Sequence, residues 1–511
     1  MANMAETDWH SKNRAIITSF GIVGLHGNKN VSFNSSYLPS ILIAKNGSGK
    51  TTLLGAMNAI LTEHYVRLLS IDFDHIYMTL VDIEEPILFY KSDVEEAFST
   101  PTDAEFLQNS ARFGVSPSAL LRFIVEDFIS IDESVTHENS TYNSILRSFD
   151  YRRVRLHKFI EDARGKIFQR SLNFYRSYQI VREAVADYDI LYLPTYRRVE
   201  LALRDDKPSQ KMQRKKPQFE IAENSLFTGE IQFGLADITE RLSELNEQIA
   251  FTSNSEYRRI SAAIINDFLD GTFDRHVPTA QDIPTREDLR VMFSRVESSA
   301  NRHYGPNYPV NIPNIEKLYG GGTEDFKDKF LNYFLTQLNR VINSTKIVEG
   351  RAEQFVAVCN SYFSLEDEST MLGGGYEVKS ADSKYMELDR KNLSVGIYSG
   401  SNNKPIRLNS LSSGEKQMVS LFAKLFLYEK KKIVLIDEPE LSLSLEWQRK
   451  ILVDVVRSPL CSQMIAITHS PFVFDNELDP FAGSLKTSQA EIIAEDLDLF
   501  QDDESFEISV F

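Results

Sequence analysis

Between a short apolar run, Ile41-Leu42-Ile43, and an apolar stretch of helical length at residues 53–61, the chain reads Ala44-Lys45-Asn46-Gly47-Ser48-Gly49-Lys50-Thr51-Thr52. Few folds accept that order of strand, glycine loop, lysine, hydroxyl and helix. The glycines let the backbone turn tightly and leave its N–H groups uncovered at a helix N-terminus, where they suit an anion. The order is that of a nucleotide-phosphate loop. In such a loop the backbone of Asn46, Gly47, Ser48, Gly49 and Lys50, with Thr52 behind it, cradles the β-phosphate of ATP. The Lys50 ammonium bridges the β- and γ-phosphates, and the Thr51 hydroxyl ligates Mg²⁺. Ala44 stands where the pattern usually begins with glycine, which keeps that position small.

A phosphate loop demands a carboxylate partner, and one lies far downstream. Ile433-Val434-Leu435-Ile436 is a lysine-flanked apolar run of strand length that ends in Asp437-Glu438-Pro439-Glu440. A carboxylate at the C-terminal end of such a strand can hold Mg²⁺, and its neighbour can orient an attacking water. Asp437 takes the first role and Glu438 the second. Just upstream, Leu411-Ser412-Ser413-Gly414-Glu415-Lys416-Gln417 is a small-residue turn leading into a buried helix, a second place where free backbone N–H groups can meet an anion. Residues 463–471 read as another strand, its apolar run ending at His469.

Lys50 and Asp437 lie 387 residues apart, too far for a minimal domain. The strand-rich ends are therefore expected to pair as one α/β core, residues 1–93 as its N-terminal lobe and 366–511 as its C-terminal lobe. Residues 94–365 form a largely helical insertion. Strands are expected over 15–20, 22–33 (around a glycine-rich turn), 68–80 and 86–90, with a further strand and a basic loop at 189–217. Three- and four-residue spacing of apolar side chains marks helices through 94–180 and over 235–250, 255–269, 326–342 and 355–363. Gly and Pro interrupt these stretches, so a short helical insertion is expected rather than a long coiled-coil arm.

Of the 511 residues, acids outnumber bases by 17, so the surface as a whole repels polyanions. The exceptions are Arg197 and Arg198, and residues 204–216, where Arg204, Lys207, Lys211, Arg214, Lys215 and Lys216 sit among polar neighbours. These are the candidates for contact with nucleic acid or an acidic partner. Residues 491–507 are an acidic tail, eight acids in seventeen positions. Cys359 and Cys461 cannot make a disulfide framework or a four-cysteine metal site, which suits a reducing compartment. No apolar run reaches the roughly 18 residues that span a bilayer, and a cytoplasmic protein with no membrane partner is expected.

The ordered segments AKNGSGKT, LSSGEKQ, IVLIDEPE and ITHS resemble ABC-type ATPases of the SMC/RecF branch over residues 14–65 and 405–475. The resemblance implies an ABC-ATPase head, a P-loop core with mixed sheet, that works as a pair and sandwiches ATP between the loop of one copy and the signature of the other. Ser412, Ser413, Gly414 and Glu415 would then form the signature, with Ser412 and Gly414 facing the partner's γ-phosphate, while His469 would sense the γ-phosphate of the nucleotide on its own loop. YLPTYRRVE (residues 192–200), IQFGLADI (231–238), DEPELSLSLEWQ and ITHSPFVFDNEL are similar to the stand-alone ATPases of bacterial antiphage systems. They resemble the PtuA-type of Septu and retrons first, then the AriA-type of PARIS. This implies a regulator of a separate effector, often a nuclease encoded alongside. The family often carries His-Pro where this chain has Ser444-Leu445. The alternative is a RecF/SMC-like DNA-repair ATPase that binds DNA directly through the basic residues. About forty residues follow Pro471, too few for a further nuclease domain.

Overall fold

The computed structural model describes residues 14–45, 47–128, 140–194, 235–271, 282–304, 313–319, 325–364 and 383–489. Its strands, in chain order, are β1 (Ile17–Leu25), β2 (Lys29–Asn34), β3 (Pro39–Ile43), β4 (His75–Leu80), β5 (Ile87–Tyr90), β6 (Tyr188–Leu193), β7 (Lys384–Asp389), β8 (Ser394–Ser399), β9 (Pro405–Ile406), β10 (Lys431–Asp437), β11 (Cys461–Thr468), β12 (Ala482–Ser484) and β13 (Lys486–Gln489). They divide into an antiparallel sheet, β13-β2-β1-β4-β5, a parallel sheet, β12-β3-β11-β10-β6, and a small sheet, β7-β8-β9.

The parallel sheet joins the two ends of the chain. Strand β3, which precedes the glycine loop, pairs with β11, and β11 pairs with β10, the strand that ends in Asp437. The last described strand, β13, returns to pair with β2. The central strands read as continuous apolar runs because helices cover both faces. On one face, Ile433, Leu435, Ile465 and Ile467 share a core with α1 (Lys50–Leu61), the antiparallel sheet and the helices α2 (Lys91–Phe98), α3 (Ala104–Phe113), α4 (Pro117–Arg122), α5 (Ser140–Ser148), α6 (Arg153–Phe168) and α7 (Leu172–Val185). On the other face, Val434, Ile436, Met464 and Ala466 pack with helices drawn from the middle and the end of the chain. Gln463, fully buried, ties the two sheets: its amide oxygen accepts from the Ile17 N–H and its amide nitrogen donates to the Ile17 carbonyl, both at 2.8 Å.

Helices α8 (Leu235–Leu269) and α11 (Asp325–Phe363) run 35 and 39 residues, about 50 and 60 Å at 1.5 Å per residue. Their bases, with α12 (Ser413–Phe426) and α13 (Leu445–Arg457), form the second core. Their far halves, with α9 (Arg286–Tyr304) and α10 (Ile315–Leu318), form a third core around Ile260, Leu289, Phe293, Leu338 and Val341.

Several sequence expectations shift. The expected breaks in the long helices, at 250–255 and at Gly350, do not occur. Ser253 and Ala352 are buried there, and packing along one face offsets the roughly 1 kcal/mol cost of glycine inside a helix. Strand β1 likewise runs through Gly21, where a Cβ would fall 2.5 Å from the Tyr77 ring. That glycine admits a neighbour rather than making a turn, and the chain reverses instead at His26 and Gly27, both at positive φ. The expected strand over 68–80 is a 3₁₀ turn (Tyr65–Ser70) followed by β4. Within 94–365, β6 pairs with β10 and belongs to the nucleotide-loop sheet.

Candidate functional site

The strand order builds the site. Because β11 lies between β3 and β10, the segments that leave these three strands at their C-terminal ends come together. From β3 comes the glycine loop, with Gly47 at φ 75° and Gly49 at φ 95° as the N-cap of α1. Lys50, the first residue of that helix, is 6% exposed. Its Nζ lies 3.2 Å from Glu438 Oε1 and in contact with His469 Nε2, and His469 Nε2 is 3.5 Å from the same carboxylate oxygen. Lys50, Glu438 and His469, spread over more than 400 residues of sequence, therefore form one cluster, as their spacing along the chain could not guarantee.

Glu438 holds this position in a left-handed backbone conformation, φ 53°, while its N–H still donates to the Ile467 carbonyl at 2.8 Å. A non-glycine residue there costs on the order of 1 kcal/mol or more, a strain found where a side chain must be aimed. Asp437, one residue back, is 2% exposed at the end of β10.

Three residues of the site gave little signal in the sequence. Glu440 clamps the histidine segment: one carboxylate oxygen accepts from the N–H groups of His469 (2.8 Å) and Ser470 (3.2 Å), the other from the Thr468 hydroxyl (2.8 Å). Burial pushes its pKa above the ordinary 4.5, against the pull of those hydrogen bonds. Gln448 reinforces the clamp, donating to the carbonyls of Glu440 and Leu443 and accepting from the Ser470 hydroxyl. Lys29, on β2, donates to the Gly47 carbonyl at 2.8 Å and holds the glycine loop from the antiparallel side. Glu440 lies inside the acidic motif and could have been singled out; nothing in the pattern marks Lys29.

The residues fit a nucleotide with Mg²⁺. The Ser48 hydroxyl oxygen is buried with no hydrogen-bond partner among the described residues, the state expected of a phosphate-loop donor awaiting an acceptor. Gly47, Ser48, Gly49, Lys50, Thr51 and Thr52 lie on the loop and the first turn of α1, and Thr51 and Asp437 are the residues that would hold the metal. Asn46 lies outside the described residues, as do Arg197, Arg198, the basic stretch 204–216 and the acidic tail.

The signature segment is placed elsewhere. Ser412 caps α12: its hydroxyl accepts from the Glu415 N–H at 3.3 Å, and Glu415 Oε2 accepts from the Ser412 N–H at 2.6 Å, a reciprocal capping box. Ser413 opens the helix. Gly414 is obligatory for a local reason, since a Cβ would fall 2.3 Å from the carbonyl oxygen of Ser442. Ser442, at φ 66°, lies in the turn after Glu440, so the signature helix and the acidic segment are packed together. Ser444 caps α13 by accepting from the Trp447 N–H. The signature helix belongs to the core on one face of the parallel sheet and α1 to the core on the other. Among the described residues no hydrogen bond or ion pair joins the signature segment to the glycine loop of the same chain.

Residues 338–475 match the family model described as "AAA domain, putative AbiEii toxin, Type IV TA system". The matched span includes the signature, Asp437, Glu438 and His469. No curated protein matches the chain. Among solved structures, it is similar to an Smc head bound to the C-winged helix domain of ScpA, with 14% identity over 31% of this chain and 47% of that one, at a TM-score of 0.18. It is also similar to an Smc head with an extended coiled coil, bound to the C-terminal domain of ScpA derived from Pyrococcus furiosus, with 11% identity over 93% of this chain and 96% of that one, at a TM-score of 0.30. The chain spans about half the length of the first of these. Neither score carries weight for the fold. The family match covers residues 338–475 alone, the strand order places a glycine loop beside the acidic strand end, and no described helix is long and apolar enough to cross a membrane.

Proposed function

We propose that this protein is an ABC-type ATPase whose hydrolytic site is completed by a second copy of itself, and that the closed pair regulates a separate effector in antiphage defence. The observation that carries the two-copy reading is the placement of the loop side and the signature side on opposite faces of one parallel sheet. On this reading the signature of Ser412–Glu415 serves a nucleotide held on Lys50 of a second copy, and two heads facing each other bring each signature to the other's nucleotide.

The loop backbone and Lys50 hold the β- and γ-phosphates. Thr51 and Asp437 would hold Mg²⁺, which when bound would neutralise charge on the phosphates. Glu438 orients and polarises the attacking water, and His469, fixed by Glu440, hydrogen-bonds the γ-phosphate. Ser412 and Gly414 of the second copy close over that phosphate with backbone N–H groups at a helix N-terminus. Catalysis on this reading is positioning plus charge stabilisation. Lys50→Ala is expected to abolish ATP binding and turnover, and Glu438→Gln to abolish turnover while ATP still binds. Wild-type phosphate release from either variant sinks the assignment.

The effector half rests on the similarity of the DEPELSLSLEWQ and ITHSPFVFDNEL segments to stand-alone defence ATPases, and on a family description that names a toxin of a TA system. Expression with the flanking genes, followed by affinity capture with and without ATP, tests it. Co-purification of a nuclease-like protein is expected. A chain that comes down alone and grips DNA in an ATP- and salt-dependent manner would favour the DNA-repair reading instead.

A further inference from the structure

We infer that Lys384 is a positioning residue for hydrolysis: it sets the signature turn for the nucleotide of the second copy, and helix α11 holds it in place. The inference rests on the two-copy reading above. Lys384 opens β7, and its Nζ donates to Glu415 Oε1 at 2.6 Å. Glu415 is 1% exposed, and its other oxygen is the one that accepts from the Ser412 N–H. One buried carboxylate thus fixes the first residues of the signature helix on one side and is gripped by Lys384 on the other. Two residues along β7, Met386 is bracketed by Asn360 of α11: the Asn360 amide donates to the Met386 carbonyl at 2.8 Å and accepts from its N–H at 2.6 Å. Hydrogen bonds at either end of a short stretch of β7 backbone thus link the last turn of the long helix, through Met386 and Lys384, to Glu415 and Ser412.

Capping does not require this lysine, since Ser412 and Glu415 satisfy each other. Its electrostatic role is more specific. A signature that must receive a phosphate carries a carboxylate at the third position of its own helix, and that charge opposes the N-terminal field of the helix. Lys384 cancels the charge where an anion must approach, and it fixes which Glu415 oxygen is left for the Ser412 backbone. Removing it leaves the Glu415 charge uncompensated and buried, so the turn that meets the phosphate shifts while the chain's own glycine loop, on the other face of the sheet, is unaffected.

The test uses the full-length protein, with Lys384→Met and Lys384→Arg, Ser412→Arg as a signature control and Lys50→Ala as a loop control. Phosphate release is measured for each variant alone and for equimolar mixtures, and binding of a non-hydrolysable ATP analogue is measured for each. Lys384→Met is expected to lose about tenfold or more in turnover, to bind the analogue as the wild type does, and to be rescued largely by Lys384→Arg. Mixed with Lys50→Ala it should recover about a quarter of wild-type turnover, because half of random pairs then carry one intact site. If Ser412→Arg recovers with Lys50→Ala but Lys384→Met does not, the inference fails and the two-copy reading stands. If neither mixture recovers, the two-copy reading itself fails. Wild-type turnover by Lys384→Met, or loss of analogue binding on its own loop, also overturns the inference.

Discussion

Replacing Glu438 by Gln should do more than stop turnover; it should tighten ATP binding, by an amount the geometry bounds. The Lys50 ammonium lies 3.2 Å from Glu438 Oε1 and against the His469 ring. To take the β- and γ-phosphates, Lys50 must leave that carboxylate, and the γ-phosphate must then settle beside a negative charge. At 3.2 Å the ion pair is worth about 5 kcal/mol for an effective dielectric of about 20. Glu438 is 22% exposed, so solvent screens part of this, and the Gln carbonyl keeps a neutral hydrogen bond to Lys50. A net release of about 1–2 kcal/mol remains, or about five- to thirtyfold tighter binding. Equilibrium titration of both proteins with a non-hydrolysable ATP analogue and Mg²⁺ reads this without interference from turnover. An analogue affinity in Glu438→Gln equal to or weaker than wild type would refute the idea that Lys50 is held back by Glu438.

Gly414→Ala places a methyl group against the Ser442 carbonyl, a backbone atom that cannot swing aside; displacement of the signature helix should cost about a hundredfold in turnover while analogue binding survives, measured by the same two assays. Gln463→Met strips both hydrogen bonds from the buried Ile17 backbone and should lower stability by about 2–6 kcal/mol, seen as a lower melting temperature by calorimetry. His64 is held neutral by burial, with Arg67 and Arg164 adding repulsion, and its pKa falls to about 3 from 6.5. The unfolded chain therefore binds a proton that the folded one refuses, so its contribution is complete above pH 6.5 and is lost as pH falls towards 3. Between pH 7 and pH 5 the loss is about 2 kcal/mol, and His64→Gln should flatten that part of the melting-temperature profile.

The nucleotide loop, the acidic strand end and the histidine were legible because each is a local pattern whose chemistry fixes residue type at close spacing. Lys50, Glu438 and His469 meet because β3, β11 and β10 are neighbours, and the sequence led only to the expectation that the two ends of the chain share one core. The rest depends on contacts between distant segments. Lys29 on Gly47, Lys384 on Glu415 and Gln463 on Ile17 are single polar side chains that reach across the fold, and a lone lysine or glutamine in sequence carries no sign of its partner. The turn at Ser412–Glu415 was singled out by pattern as a signature, while its local work carried no sign in sequence: the Ser412 hydroxyl is engaged as a helix cap and Gly414 makes room for the Ser442 carbonyl. The long helices escaped for the opposite reason. Gly350 and the polar stretch near Ser253 look like breaks in a one-dimensional reading, and tertiary packing overrides them.

Two copies closing on two nucleotides are tested most directly by light scattering on Glu438→Gln, which retains ATP without consuming it. The mass per particle should double on addition of ATP and Mg²⁺ and return to its starting value with ADP. An unchanged mass with every glycine loop saturated by ATP would contradict the shared site.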